Sequence, residues 1–339
     1  MQTMPQTPTL NDVADRSGYS TATVSRCLNF PERVSEATRA KVMKAINDLG
    51  YSPNFGARVM AAKRTYTIGA IIPTMENAIF ARGLQAFQEE LNAQGYTLLV
   101  ASSSYRADLE EEQIRNLVAR GADALLLIGF ERDPSVDAFL EKQGVPALVT
   151  WALRDDQTRP SVGFDNVAAM RAMAAHVIGL GHQQMAIITA DPAMNDRAAD
   201  RLKGVRLAME DAAIDPDSLL IHQTPYGIEN GATEFGRVMA ADPRPTVVFC
   251  GNDVLAVGAL RKAREMGLRV PQDVSIVGFD DIELAQVAYP ALATVHVPHR
   301  EMGRRAAIAL ISLLRDGTPL QSVPLQADLR LRASLGPPP

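Results

Sequence analysis

Two cysteines in 339 residues, Cys27 and Cys250, far apart and in unrelated contexts, leave no disulfide framework. That scarcity fits a reducing compartment, and both residues read as small buried hydrophobes. Aromatic residues make up only 5% of the chain, with one tryptophan, Trp151. No run approaches the roughly 18 consecutive apolar residues of a membrane span. The N-terminus also lacks the charged start, apolar run and small-residue cleavage site of an export signal. A cytoplasmic protein without a membrane partner is expected. Also missing are a phosphate-cradling GxxxxGK, a dinucleotide-binding GxGxxG, a GxSxG elbow and the metal spacing HExxH. No catalytic residue, metal ligand or cofactor is therefore expected, and the chain does not read as an enzyme. His182 follows Gly181 at a helix-to-strand turn with no nucleophile nearby and reads as a turn residue.

What is present is ordinary for a globular protein: 47% hydrophobic and 22% charged residues. The length exceeds the about 250 to 300 residues at which a single core stops growing, so two or three domains are expected. The net charge of -5 is unevenly spread. Residues 1–64 carry 9 Lys and Arg against 5 Asp and Glu, whereas the remainder carries 25 against 34. A small basic module on an acidic body suggests that only the first segment faces a polyanion.

Within that segment three short helical patterns are predicted, at 9–17, 20–28 and 35–49. Thr9 with Asp12, Ser20, and Ser35 with Glu36 supply the caps, and Gly50 ends the third helix. Leu10, Val13, Ala14, Val24, Cys27, Leu28, Val42, Ile46 and Leu49 recur at helical spacing and can form one small core. Gly18-Tyr19-Ser20 provides the tight turn of a helix-turn-helix, whose second helix enters the major groove. Its exposed face presents Thr21, Ala22, Ser25 and Arg26. Arg26 can bond a guanine edge bidentately, and Thr21 and Ala22 can meet base edges or a thymine methyl. Ser20, Thr23 and Ser25 suit phosphate anchoring.

From Thr67 onward, apolar runs (TIGAIIP, YTLLVAS, ADALLLIG, VPALVTW, QMAIITA, PTVVFCG, DVSIVGFD) alternate with amphipathic stretches such as 77–94, 167–180, 253–266 and 299–314. Such alternation predicts parallel sheets covered on both faces, and its length suggests two of them. VGFDN at 162–166 echoes VGFDD at 277–281. The aspartates of this echo either line a ligand crevice past the strand ends or cap the turns that follow.

The string TLNDVADRSGYSTATVSRCLN, continued by VSEATRAKVMKAINDLGYSPN and ARVMAAKRTYTIG, closely resembles the DNA-binding and hinge segments of the LacI/GalR family of bacterial regulators. NFPERVSEATR and VGFDN are similar to the gluconate-repressor branch, whereas Phe279-Asp280-Asp281 keeps the commoner family pattern. The resemblance covers nearly the whole chain. It implies an N-terminal all-α helix-turn-helix domain (1–53) and a hinge helix (54–64). An α/β periplasmic-binding-protein-like core follows at 65–335, made of two doubly wound parallel-sheet subdomains joined by three crossovers. One subdomain is expected at about 65–163 plus 294–319, the other at about 164–293 plus 320–335.

The residues expected on DNA are then Thr9, Ser20, Thr21, Ala22, Thr23, Ser25, Arg26 and Asn29 in the head, with Asn54, Ala57, Arg58 and Met60 in the hinge. In the family the paired hinge helices wedge an apolar side chain into the minor groove. The usual wedge is Leu, and the matching position here is Met60. Carried over position by position, the effector pocket falls on Phe80, Trp151, Phe164, Arg201, Tyr226, Asn252 and Asp280. Asn252 is assigned to the ligand and Asp253 to structure. Aromatic faces and charged donors of this kind suit a sugar or sugar acid.

A homodimer on near-palindromic operator DNA is implied, with contacts on the helix at 253–266, where Leu255, Val257 and Leu260 do not all fit one core. The final three prolines offer no heptad helix for further assembly. Repression controlled by a small molecule is thus the expected function. A solute-binding protein of the periplasmic sugar-binding type suits the body alone, and the missing export signal and basic head oppose it.

Overall fold

The computed structural model describes residues 7–52, 64–76, 78–155 and 159–339. It divides after Thr65 into two compact units. In the smaller, the helices Leu10–Ser17, Thr21–Asn29 and Glu36–Leu49 form because each has a capped start. Thr9 and Asp12 make a reciprocal capping box, and Ser20 and Ser35 accept the amides of Thr23 and Thr38. Gly18 and Gly50 end the first and third helices in the left-handed region, φ 74° and 63°, where an L side chain is strained. Val13, Ala14, Val24, Cys27, Val42, Ala45 and Ile46 are buried together, with Leu10, Leu28 and Leu49 packed around them.

The larger unit contains the two expected parallel sheets. The first runs β2 (Thr97–Ser102), β1 (Thr67–Ile72), β3 (Ala124–Ile128), β4 (Ala147–Thr150), β5 (Ser161–Gly163) and β11 (Val323–Pro324). The second runs β7 (Leu220–Gln223), β6 (Met185–Thr189), β8 (Val247–Cys250) and β9 (Ser275–Val277). Between them β10 (Thr294–His296) pairs antiparallel with β12 (Asp328–Arg330), and single bridges join Val277 to Ala293 and Asp280 to His296. The central strands are buried on both faces, which is why they read as uninterrupted apolar runs.

Helix pairs close the faces: Ala78–Ala93 on His299–Asp316, Asn166–Gly179 on Asp196–Asp211, and Ile228–Val238 on Asp253–Glu265. The first pair approaches so closely that a Cβ on Gly303 would lie 1.9 Å from the Gly83 carbonyl oxygen. His182 is buried, its Nε2–H donating to the Gly336 carbonyl at 2.8 Å and its Nδ1 facing Thr246, so the turn is tied to the C-terminal segment. Both cysteines are buried, and burial pushes the Cys250 thiol well above its ordinary range.

The second subdomain is expected to include 320–335. Ser334 does bond to Ile276, Ala291 and Ala293 there, but Val323 and Pro324 pair with Val162 and Gly163 in the first sheet. The short return after Gly317 brings the chain back to the open edge of β5, where its backbone groups find partners, including Leu325 N–H on the Gly163 carbonyl at 2.7 Å. On the helix Asp253–Glu265 the three apolar residues divide between core and surface. Leu255 and Leu260 are both buried in the chain's own core against the helix Ile228–Val238 and β8, leaving only Val257 of the three half-exposed.

A DNA-reading head and a polar cleft

In the head, Ser20, Thr21, Ala22 and Arg26 are exposed on the second helix, with Thr23 and Ser25 half-buried beside them. Arg26 forms no ion pair with another described residue. The Ser20 and Thr9 side chains are engaged in capping, which fixes the entry angles of their helices. Asn29 is the last residue of the second helix. Arg16 and Asp48, 3.8 Å apart, join the first and third helices away from that face. Asn54, Ala57, Arg58 and Met60 lie outside the described residues.

In the body, the cleft is built from strand ends. Thr74 follows β1, Ser104 and Tyr105 follow β2, Ala190 and Asp191 follow β6, Thr224 to Tyr226 follow β7, and Val254 follows β8. These surround a cavity of about 740 Å³, completed by Glu76, Met194, Asn195, Gln223 and Gly227. Ligands in open α/β sheets occupy this position, outside the carboxyl ends of parallel strands.

Of the seven pocket residues expected from sequence, Tyr226 lines the cavity and the other six are buried, all but Asn252 joined in one network of contacts. The Arg201 guanidinium donates to the Tyr226 hydroxyl at 3.0 Å and to Asn166 Oδ1 at 3.3 Å, and lies 4.7 Å over the Phe279 ring. Phe164 stacks on Phe279. Asn166 Nδ2–H continues the network to the Trp151 carbonyl at 3.0 Å. Trp151, held at a left-handed φ of 61°, packs edge-on with Phe80 and donates its indole N–H to His299 Nδ1 at 3.2 Å. His299 Nε2–H then donates to the Asp280 carbonyl at 3.1 Å. This pattern requires a neutral imidazole, and burial depresses its pKa to about 4.

Asn252 caps its helix through Oδ1, which accepts the Leu255 amide at 3.0 Å. Asp253 accepts the Thr294 hydroxyl at 2.6 Å and the Ile282 amide at 2.8 Å, a tie between the helix and the crossing strands. Burial lifts Asp253 well above the usual carboxylate range, with the neighbouring Asp280 adding to the effect. Asp280, at φ 108°, is also fully buried; desolvation raises its carboxyl to about 7, although Arg201 and Arg197 oppose that rise. Among the described residues, Arg201 Nε, Asn252 Nδ2 and Thr189 Oγ1 are buried polar atoms without a hydrogen-bond partner. Such atoms cost free energy unless something hydrogen-bonds to them.

Sequence reasoning passed over Tyr105, Asn166, Thr189, Asn195, Arg197 and His299. Several carried a usable signal. Asn166 ends the VGFDN echo, Arg197 precedes Arg201 by one helical turn, and Tyr105 and Thr189 stand at the ends of apolar runs. His299 gave none, because only the second crossing of the chain brings it beside Trp151.

A basic helix-turn-helix head on a body of two parallel sheets, with a polar cleft at their strand ends, defines a DNA-binding transcriptional regulator. The family model described as bacterial regulatory proteins, lacI family, matches residues 9–54, and that described as periplasmic binding protein-like domain matches residues 174–335. The HTH-type transcriptional regulator GntR of Escherichia coli (strain K12) is 33% identical over 308 residues, 91% of this chain and 92% of that protein. The chain belongs to the lacI family. Two solved structures share its fold across nearly the whole length. The lac repressor dimer bound to operator and the anti-inducer ONPF has a TM-score of 0.84 at 27% identity, over 97% of this chain and 99% of that one. The transcriptional regulator CelR in complex with cellobiose has a TM-score of 0.69 at 29% identity, over 96% and 99%. Membership, with the head matched as a regulatory domain, sets aside the solute-binding alternative. Among the described residues no helix is long and apolar enough to cross a membrane.

Proposed function

We propose that this chain is a homodimeric repressor acting in the cytoplasm, whose grip on operator DNA is set by a sugar or sugar acid bound in the cleft. The observation that carries the reading is the polar wall of the cavity, where Tyr226, backed by its bond to Arg201, stands with Ser104, Asp191, Asn195, Gln223 and Thr224. Hydroxyl groups both donate and accept, so a polyhydroxylated ligand can meet such a set. The aromatic edges of Tyr105 and Tyr226, 5.9 Å between centroids, offer apolar surface to a ring. Relatives solved with operator DNA and with cellobiose support the same reading. Catalysis is not part of it.

In the head, Arg26, Thr21 and Ala22 read bases, while Ser20, Thr23, Ser25, Thr9 and Asn29 position the backbone; Asn54, Ala57, Arg58 and Met60 act in the hinge. In the body, Phe80, Trp151, Phe164, Arg201, Tyr226, Asn252 and Asp280 form the pocket and its supporting layer. Ligand closure rotates the two subdomains and changes whether paired hinges can engage DNA. A coupling of about 1 to 3 kcal/mol suffices for roughly 5- to 150-fold control.

The test is a thermal-shift screen of sugars, aldonates and purines, followed by operator titration. A ligand at about 100 times its Kd stabilises by roughly 2.7 kcal/mol. A saturating ligand should then change the affinity for an operator selected from random duplexes. If it binds in the cleft and leaves that affinity unchanged, the allosteric reading fails.

A further inference from the structure

Beside the main cleft lies a second compartment of about 380 Å³, bounded by the ends of β2 and β3 and by the start of the helix Asp196–Asp211. The two cavities share Tyr105, Met194 and Asn195 on their walls. Each falls within the roughly 300 to 1,000 Å³ of small-molecule pockets.

The walls of the side compartment are charged but internally paired. Arg132 donates to Glu110 at 3.2 Å and to the Gly129 carbonyl at 2.9 Å, and Arg197 pairs with Asp196 at 2.9 Å. Glu131 and Asp133 add further carboxylates. Arg106, at the mouth, pairs with Asp108. An anionic group placed here would meet four carboxylates with every lining guanidinium already paired, so a negative charge is disfavoured. A neutral group rich in hydroxyls fits, because it can donate to the carboxylates and accept from unsatisfied N–H groups. One such N–H group belongs to the compartment's wall. Arg132 is only 4% exposed at its side chain, and its Nε has no partner among the described residues.

We infer that the effector spans both compartments: one saccharide unit in the main cleft, and a second, uncharged polyhydroxylated unit passing Tyr105 and Asn195 to lie against Arg132 and the start of the helix Ala107–Ala119. The inference rests on the saccharide reading of the cleft and narrows it to a neutral ligand of at least two units. Arg132 is the specificity-determining residue for the second unit.

Calorimetric titration of the full-length chain with glucose, gluconate, cellobiose, maltose and lactose tests it, together with two variants. Ala107→Phe fills the compartment from an exposed position, and Arg132→Lys keeps a cation beside Glu110 while removing Nε. At least one disaccharide should bind about tenfold or more tighter than glucose and gluconate, and either variant should remove most of that advantage while leaving glucose within about twofold. If glucose or gluconate binds as tightly as every disaccharide, or if both variants leave a disaccharide's advantage intact, the two-unit inference is overturned and the saccharide cleft stands. If none of the five binds, the saccharide reading falls and the inference with it.

Discussion

Replacing Arg201 by Met separates what holds the body together from what holds the ligand. The guanidinium is buried, 6% exposed, and no carboxylate lies within ion-pair distance among the described residues. Its removal loses two charge-assisted hydrogen bonds, to Tyr226 and Asn166, worth about 1.5 to 3 kcal/mol each. It also relieves a desolvation penalty of several kcal/mol for a buried ion. Tyr226 is half-buried and can rehydrate, whereas Asn166 Oδ1 is left unpaired at about 1 to 3 kcal/mol. These opposing contributions are of similar size, so the expected stability change is within about 2 kcal/mol. Ligand binding has no such compensation, and affinity should drop by about 100-fold or more, as when a buried charged partner is truncated.

The single tryptophan, Trp151, is two hydrogen bonds away from Arg201, so its fluorescence follows urea unfolding of the body alone. A loss above about 4 kcal/mol in that transition would make Arg201 a structural keystone. An affinity loss below tenfold with stability retained would remove it from the pocket.

Asp280 gives a pH signature. Its folded pKa, about 7, lies above the ordinary 3.8, so between these values the folded state holds a proton that the unfolded state has lost. Its contribution is full below pH 3.8 and falls as pH rises through about 7, at up to roughly 1.4 kcal/mol per unit. His299 acts in the opposite sense: depressed to about 4 from 6.5, its contribution is present above 6.5 and lost on acidification. Melts of Asp280→Asn against the native chain should therefore show the variant gaining relative stability from pH 4 to 7, and a pH-independent difference would refute the buried-acid assignment. Gly129 sits at φ 71° with a built Cβ only 1.8 Å from Arg197 Nη1, so Gly129→Ala should cost at least about 1 to 2 kcal/mol of strain and weaken ligand binding. Unchanged melting and affinity would show that the Arg197 contact is not needed. Arg26→Ala should relax selection at one base pair, at about 1 to 3 kcal/mol of discrimination, in a titration of permuted operators. A uniform loss across all sequences would make Arg26 a phosphate contact.

The sequence by itself determined the local elements and their faces. Caps at Thr9, Ser20 and Ser35, glycines at helix ends and runs such as ADALLLIG are short-range signals, and helix or strand follows from a window of a few residues. The helices expected at 77–94 and 253–266 accordingly form at Ala78–Ala93 and Asp253–Glu265. Family likeness carried the site further, naming Arg201 and Tyr226, which turn out to be bonded partners. Only the tertiary structure decided which residues meet across the chain's three crossings. The path from Tyr226 through Arg201, Asn166 and Trp151 to His299 joins five segments, and the pairing of Val323 and Pro324 with β5 reversed their expected placement. Burial was decided there as well. Leu255 and Leu260 fill a core that helical periodicity could not see, and Asp280 becomes a weak acid because the packed body, not its neighbours in sequence, excludes water from it.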